Sequence, residues 1–127
     1  MNLNKDKNVL VVDDCEDNLL LMELLLQSEG YVVNSANSGR KGLAEFDKQQ
    51  PDIIILDLMM PDISGLEFVR QLKDRCDISR IPIILLTANS NIFHEDVKDI
   101  DAVCYKPFDI YKILKTICLL LAVELVA

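Results

Sequence analysis

A chain of 127 residues fits one domain, and a mean hydropathy of +0.21 with half the residues hydrophobic excludes a disordered polypeptide. The formal charge is −8, from 13 Lys and Arg against 21 Asp and Glu, so neither nucleic acid nor an anionic membrane finds the cations it needs. The stretch Met1–Lys7 lacks the apolar run of a signal peptide, and no segment nears the ~20 apolar residues of a membrane span, so a cytoplasmic, thiol-reduced domain is expected.

The run Val9-Leu10-Val11-Val12 stops abruptly at Asp13-Asp14. A leucine-rich helix is predicted from about Leu19 to Ser28, capped near Asp17 or Asn18, with Gly30 just past its end. Tyr31-Val32-Val33 predicts a short strand, and Ser38 opens a second helix through Leu43 and Phe46. Next, Ile53-Ile54-Ile55-Leu56 ends in Asp57; Pro61, Ser64 and Gly65 make a loop. Ser64-x-x-Glu67 is a capping box for a helix through Leu66, Val69, Leu72 and Cys76. The run Ile83-Ile84-Leu85-Leu86 ends in Thr87, and a short helical stretch is expected around Ile92 to Lys98. Ala102 to Tyr105 predicts the last strand, before Lys106-Pro107. Asp109 caps the final helix, whose apolar face is Ile110, Ile113, Leu114, Ile117, Cys118 and Leu121.

This order is (βα)5, an α/β doubly wound fold in a single domain over residues 1–127. Strands that are apolar throughout, with no alternation, belong to a parallel sheet covered on both faces. Such sheets place ligands beyond the carboxyl ends of their strands. Those ends carry Asp13-Asp14, Asp57, Thr87 and Lys106. A single Asp after a strand is more often a turn residue than a ligand. Five suitable groups on one edge reverse that reading. Carboxylates about 6 Å apart repel by roughly 3 kcal/mol per pair at an effective dielectric of 20, so something must offset them. An oxygen-rich set without His or Cys suits Mg2+. Asp57, alone at the end of a central strand, is the best candidate for a nucleophile toward phosphorus. Lys106 can neutralise charge on the phosphoryl oxygens, and the Thr87 hydroxyl can hydrogen-bond one of them. Pro107 biases Lys106 away from helical backbone and permits a cis peptide.

Over essentially its whole length the chain resembles the receiver domains of response regulators in two-component signalling. The stretches that carry the likeness are Val9–Asp14, Ile55–Glu67 with its Asp57-Leu58-Met59-Met60-Pro61, Ile84–Ala88, and Lys106-Pro107-Phe108. The resemblance implies sheet order 2-1-3-4-5 and a phosphoryl group accepted at Asp57 from a histidine kinase or phosphotransfer protein. It also implies Mg2+ ligation by Asp14, Asp57 and the Met59 carbonyl, with Asp13 acting through water. Thr87 and Lys106 would read the phosphorylated state, changing the surface of the fourth helix, fifth strand and last helix for partner binding or dimerisation. A receiver is no enzyme in the usual sense, catalysing only its own phosphoryl transfer and autodephosphorylation.

Three departures from the family pattern bear on output. Val103 holds the position of the usual aromatic residue three before the Lys, with Tyr105 on the same strand parity. Thr87 to Lys106 spans 19 residues, nearly a helical turn short of the family's habit. Asp99-Ile100 replaces the usual Gly-Ala. The last helix is apolar all round from Ile117 to Val123, which fits either a homodimer or partner surface or added core packing.

Other residues read plainly. His94 lies alone on a polar stretch, Cys15 is a loop residue, and Cys76, Cys104 and Cys118 fit the core; without a Cys-x-x-Cys pair or a second His, zinc has little support. Met59 and Asn89 hold positions that tune phosphoryl lifetime in the resembled family. Rival readings are a phosphorylation-independent interaction domain, an aspartate-nucleophile phosphatase and a flavin domain. The phosphatase would want an Asp where Met59 stands, and the flavin domain is disfavoured by four glycines and no Trp.

Overall fold

The computed structural model describes residues 6–88, 98–107 and 109–126. The expected helix at Ile92 to Lys98 falls largely outside the described residues, as do His94, Asn89, Phe108 and the side chains beyond Ala122. In chain order the elements are β1 (Asn8–Val12), α1 (Glu16–Ser28), β2 (Val32–Ala36), α2 (Gly39–Lys48), β3 (Ile53–Asp57), α3 (Gly65–Lys73), a 3-10 turn (Ile78–Arg80), β4 (Ile83–Thr87), β5 (Ala102–Tyr105) and α4 (Ile110–Val126). The five strands form one sheet in the order β2-β1-β3-β4-β5, every neighbouring pair parallel.

The alternating side chains of the strands feed two cores. Val9, Val11, Ile53, Ile55, Ile84, Leu86 and Cys104 meet Leu19, Met22 and Leu26 of α1 and Ile113, Ile117 and Leu121 of α4. On the opposite face Leu10, Val12, Ile54, Leu56, Ile83 and Leu85 meet Leu43 and Phe46 of α2 and Phe68, Val69 and Leu72 of α3. Because both faces are covered, β3 and β4 are buried at every residue, which is why their sequences show no polar alternation. Each such side chain contributes on the order of 1.5–3 kcal/mol through burial. Val103 leans on the second core while its neighbours Ala102 and Cys104 join the first, so β5 alternates as expected.

Local signals account for most element ends. Ser38 accepts the Lys41 N–H and Ser64 the Glu67 N–H, while Asp109 accepts from Tyr111 and Lys112. Only half of the expected capping box is seen in the contacts, since the Glu67 carboxylate pairs with Arg70. α1 begins three residues before the predicted Leu19. Its N-cap is Cys15, which makes no side-chain cap, and the Cys15 N–H is taken by Asp13 Oδ1 at 2.9 Å. The start is therefore set by the site carboxylate, not by Asp17 or Asn18. β2 starts after Tyr31 and runs on through Asn34 and Ser35 to Ala36. As an edge strand it is only partly covered, so polar residues fit there. Cys118 is exposed, contrary to its expected place in the core, because helical rotation carries it off the Ile113–Ile117–Leu121 stripe; its Sγ touches Tyr31 Oη at 3.5 Å.

Candidate functional site: an acidic cluster at the sheet edge

The carboxyl ends of β1, β3, β4 and β5 converge on one edge, and backbone bonds hold them in step. The Asp13 N–H donates to the Ala36 carbonyl (3.1 Å), Leu58 N–H to Leu86 (2.9 Å) and Lys106 N–H to Thr87 (2.8 Å). These bonds extend the strand ladders into the turns that carry the polar residues. Asp13, Asp57 and Thr87 are buried, whereas Asp14 is exposed.

Asp13, Asp14 and Asp57 each offer a carboxylate oxygen, and the three atoms lie within 4.8 Å of one another. Lys106 Nζ lies 3.3 Å from Asp57 Oδ2 and 3.8 Å from Asp13 Oδ2. Asp57 Oδ1 accepts the Met59 N–H at 3.2 Å, although the Met59 side chain itself stands out in solvent. Burial pushes the Asp57 carboxyl up to about 6; the neighbouring charge of Asp13 adds to the rise, and Lys106 and the Met59 N–H oppose it.

Asp13 Oδ2 is buried and accepts no hydrogen bond among the described residues. A buried carboxylate oxygen left without a donor is expensive in free energy. An oxygen-liganded divalent cation would satisfy it and relieve the repulsion of the three carboxylates at once, so the residues present fit Mg2+. A cleft of about 460 Å³ beside β2, lined by residues such as Glu16, Glu23, Ser35 and Lys41, shares none of these groups.

The structure thus gathers Asp13, Asp14, Asp57 and Lys106 and joins Thr87 to Lys106 through the backbone. The Lys106–Pro107 peptide is cis. Tyr105 is the register partner of Thr87 and is half exposed. Asp99, which stands where glycine is usual, forms an ion pair with Lys73 of α3, and Ile100 packs on the second core. No sequence motif singles out Asp62, yet its carboxylate takes two backbone N–H groups at the start of α2. These partners are 22 and 23 residues away in sequence, so no local pattern signals the contact.

The family described as the response regulator receiver domain matches residues 9–118. The response regulator ArlR of Staphylococcus epidermidis is 36% identical over 113 residues, which are 87% of this chain and 50% of that protein. The response regulator PleD of Caulobacter vibrioides is 45% identical over 80 residues, 63% of this chain and 18% of PleD. The chain therefore spans half or less of either relative. Among solved structures, response regulator protein TrrA from Thermotoga maritima, in complex with Mg(2+)-BeF, superposes with a TM-score of 0.78 at 33% identity, covering 87% of this chain and 96% of TrrA.

Proposed function

Since the chain belongs to the response-regulator receiver family, we propose that it is a phosphorylation-dependent switch whose Asp57 accepts a phosphoryl group from a histidine kinase or phosphotransfer protein. The observation that carries this reading is the buried Asp57 carboxylate, gathered with Asp13 and Asp14 and facing Lys106 at 3.3 Å. In the transfer, an Asp57 oxygen bonds to phosphorus as the donor's phosphorus–nitrogen bond breaks. The electron pair leaves with the imidazole.

Bound at Asp14, Asp57 and the Met59 carbonyl, with Asp13 acting through water, Mg2+ would supply positive charge to the phosphoryl oxygens. The complex of TrrA with Mg(2+)-BeF supports placing that ion here. Lys106 meets charge on the transferred group, and the Thr87 hydroxyl bonds one of its oxygens. Phosphorylation exchanges one carboxylate for a group of roughly −1.5 to −2 charge with new acceptor oxygens. Thr87 and Lys106 follow those oxygens and bias the loops after β3 and β4, shifting a two-state equilibrium at the β5–α4 surface toward partner binding or dimerisation. The chain turns over no separate substrate; its chemistry is its own phosphorylation and autodephosphorylation, in a cytoplasmic setting. Among the described residues no helix is long and apolar enough to cross a membrane.

The test is intact mass after incubation with Mg2+ and acetyl phosphate. Wild type gains one phosphoryl group and Asp57→Asn gains none. Folded, Mg2+-bound wild type that gains nothing from acetyl phosphate or from a phosphorylated histidine donor overturns the reading.

One observation favours a second reading, a phosphorylation-independent interaction domain. Val103 packs on the second core and has no ring to swing, while Tyr105 is 49% exposed in the unphosphorylated chain. On that reading Asp57→Asn leaves partner binding unchanged.

A further inference from the structure

The loop between β3 and α3, residues 58–64, carries the Met59 N–H that bonds Asp57 Oδ1. Its neck is closed by the Gly65 N–H on the Leu58 carbonyl at 2.8 Å. Its tip is tied to a different element. Asp62 Oδ1 takes the Gly39 N–H at 3.1 Å and Oδ2 the Arg40 N–H at 2.8 Å, so both oxygens are used on the first two residues of α2. Those N–H groups have no acceptor inside the helix, and the positive end of the helix favours an anion beside it. Burial pushes the Asp62 carboxyl up, but the backbone donors at Arg40, Ile63 and Gly39 together outweigh it and hold the group below its usual range.

A separate, steric observation concerns Gly39. A Cβ at that position would fall 2.2 Å from Cγ1 and 2.8 Å from Cδ1 of Ile63. Ile63 therefore packs on the bare backbone of Gly39, and a side chain at residue 39 would force Ile63 to move.

We propose that Asp62 is a positioning residue for phosphoryl acceptance: it clasps the loop after Asp57 to the start of α2 and thereby holds the Met59 N–H and carbonyl in register with the Asp57 carboxylate. The role rests on the reading of Asp57 as phosphoryl acceptor. The clasp ties the loop to α2 by hydrogen bonds, beside the packing of Ile63 on Gly39. It makes the placement of Met59 depend on a contact that itself touches none of the site carboxylates named above.

The test uses the full chain with two readouts, amide hydrogen exchange at Met59 in the metal-free protein and the rate of phosphorylation by acetyl phosphate at varied Mg2+. Asp62→Ala is expected to speed Met59 exchange and to slow phosphorylation about tenfold, with a higher half-saturating Mg2+ concentration. Asp62→Asn, which keeps an acceptor oxygen, recovers part of both. Gly39→Ala reproduces the alanine variant by lifting Ile63, and Arg40→Ala, which keeps its backbone N–H, behaves as wild type. An Asp62→Ala protein that melts lower but phosphorylates at the wild-type rate overturns the proposal, as does a slowed rate with Met59 exchange unchanged. Wild type that takes up no phosphoryl group overturns the acceptor reading itself and the role with it; that failure is recognised because it appears without any substitution.

Discussion

Lys106 Nζ lies 3.3 Å from Oδ2 of Asp57, and the Lys106 backbone N–H is anchored on the Thr87 carbonyl. The Lys106 backbone is thus held at the end of β4 while its ammonium faces the carboxylate at the end of β3. Its charge opposes the upward push of burial and of Asp13 on the Asp57 carboxyl. Replacing it with the uncharged Lys106→Met removes that opposition and keeps most of the stem. The Asp57 carboxyl then titrates above about 6 in metal-free protein. A carbon-13 NMR titration of that carboxyl checks the direction, and an unchanged or lower value contradicts it.

The same raised carboxyl makes stability depend on pH. Folded Asp57 titrates near 6 against an ordinary 3.8, so between these values the folded chain holds more protons than the unfolded one. Its contribution therefore becomes less favourable as pH rises from about 4 to about 6, and the destabilisation is complete above that. Asp57→Asn removes the buried charge. Relative to wild type the variant gains stability from pH 4 to pH 7 without Mg2+, by at most ~3 kcal/mol, the full worth of a carboxyl moved from 3.8 to about 6. Urea melts of both proteins at pH 4.5 and 7 read the difference. A gain that shrinks as pH rises contradicts the assignment.

Mg2+ should stabilise the fold by binding only the folded cluster. At a concentration 100-fold above Kd the gain is roughly 2.7 kcal/mol. Asp14 is the exposed member of the three carboxylates, so Asp14→Asn leaves the core alone and replaces one anionic ligand oxygen with a neutral amide oxygen that holds the cation far more weakly. Thermal melts with and without Mg2+ should show a large shift for wild type and little for Asp14→Asn. Equal shifts in both would remove Asp14 from the ligand set.

Gly65 tests the loop from its other end. A Cβ there would lie 2.7 Å from the Asp57 carbonyl oxygen and 2.9 Å from Leu58 Cα, and backbone atoms cannot step aside as a side-chain tip can. Gly65→Ala is expected to lose about 1–3 kcal/mol in chemical denaturation. It should also slow phosphorylation of the molecules that remain folded. A neutral substitution would show that the loop tolerates displacement.

The features readable from the sequence are those encoded locally or by burial. Unbroken runs such as Ile53–Leu56 reveal strands covered on both faces, and the residue after each run marks the edge where chemistry gathers. Ser38, Ser64 and Asp109 announce helix starts because a cap bonds within three residues. What escaped reading depends on distant partners. The start of α1 is set by Asp13 on the Cys15 N–H, so the expected Asp17 or Asn18 cap is not used. Asp62 reaches α2 across more than twenty residues, and Ile63 packs there on the bare backbone of Gly39. Cys118 looked apolar enough for the core, but the angular position of α4 on the sheet is fixed by Ile113, Ile117 and Leu121.

Of the three neighbouring carboxylates, Asp57 is the one proposed as phosphoryl acceptor. The most direct test of that role is to phosphorylate the wild-type chain with acetyl phosphate and Mg2+, reduce the acyl phosphate with borohydride, and map the product by peptide mass spectrometry. Residue 57 alone is expected to be converted to homoserine. Conversion at Asp13 or Asp14, or a phosphoryl group retained on a hydroxyl or His94, would contradict it.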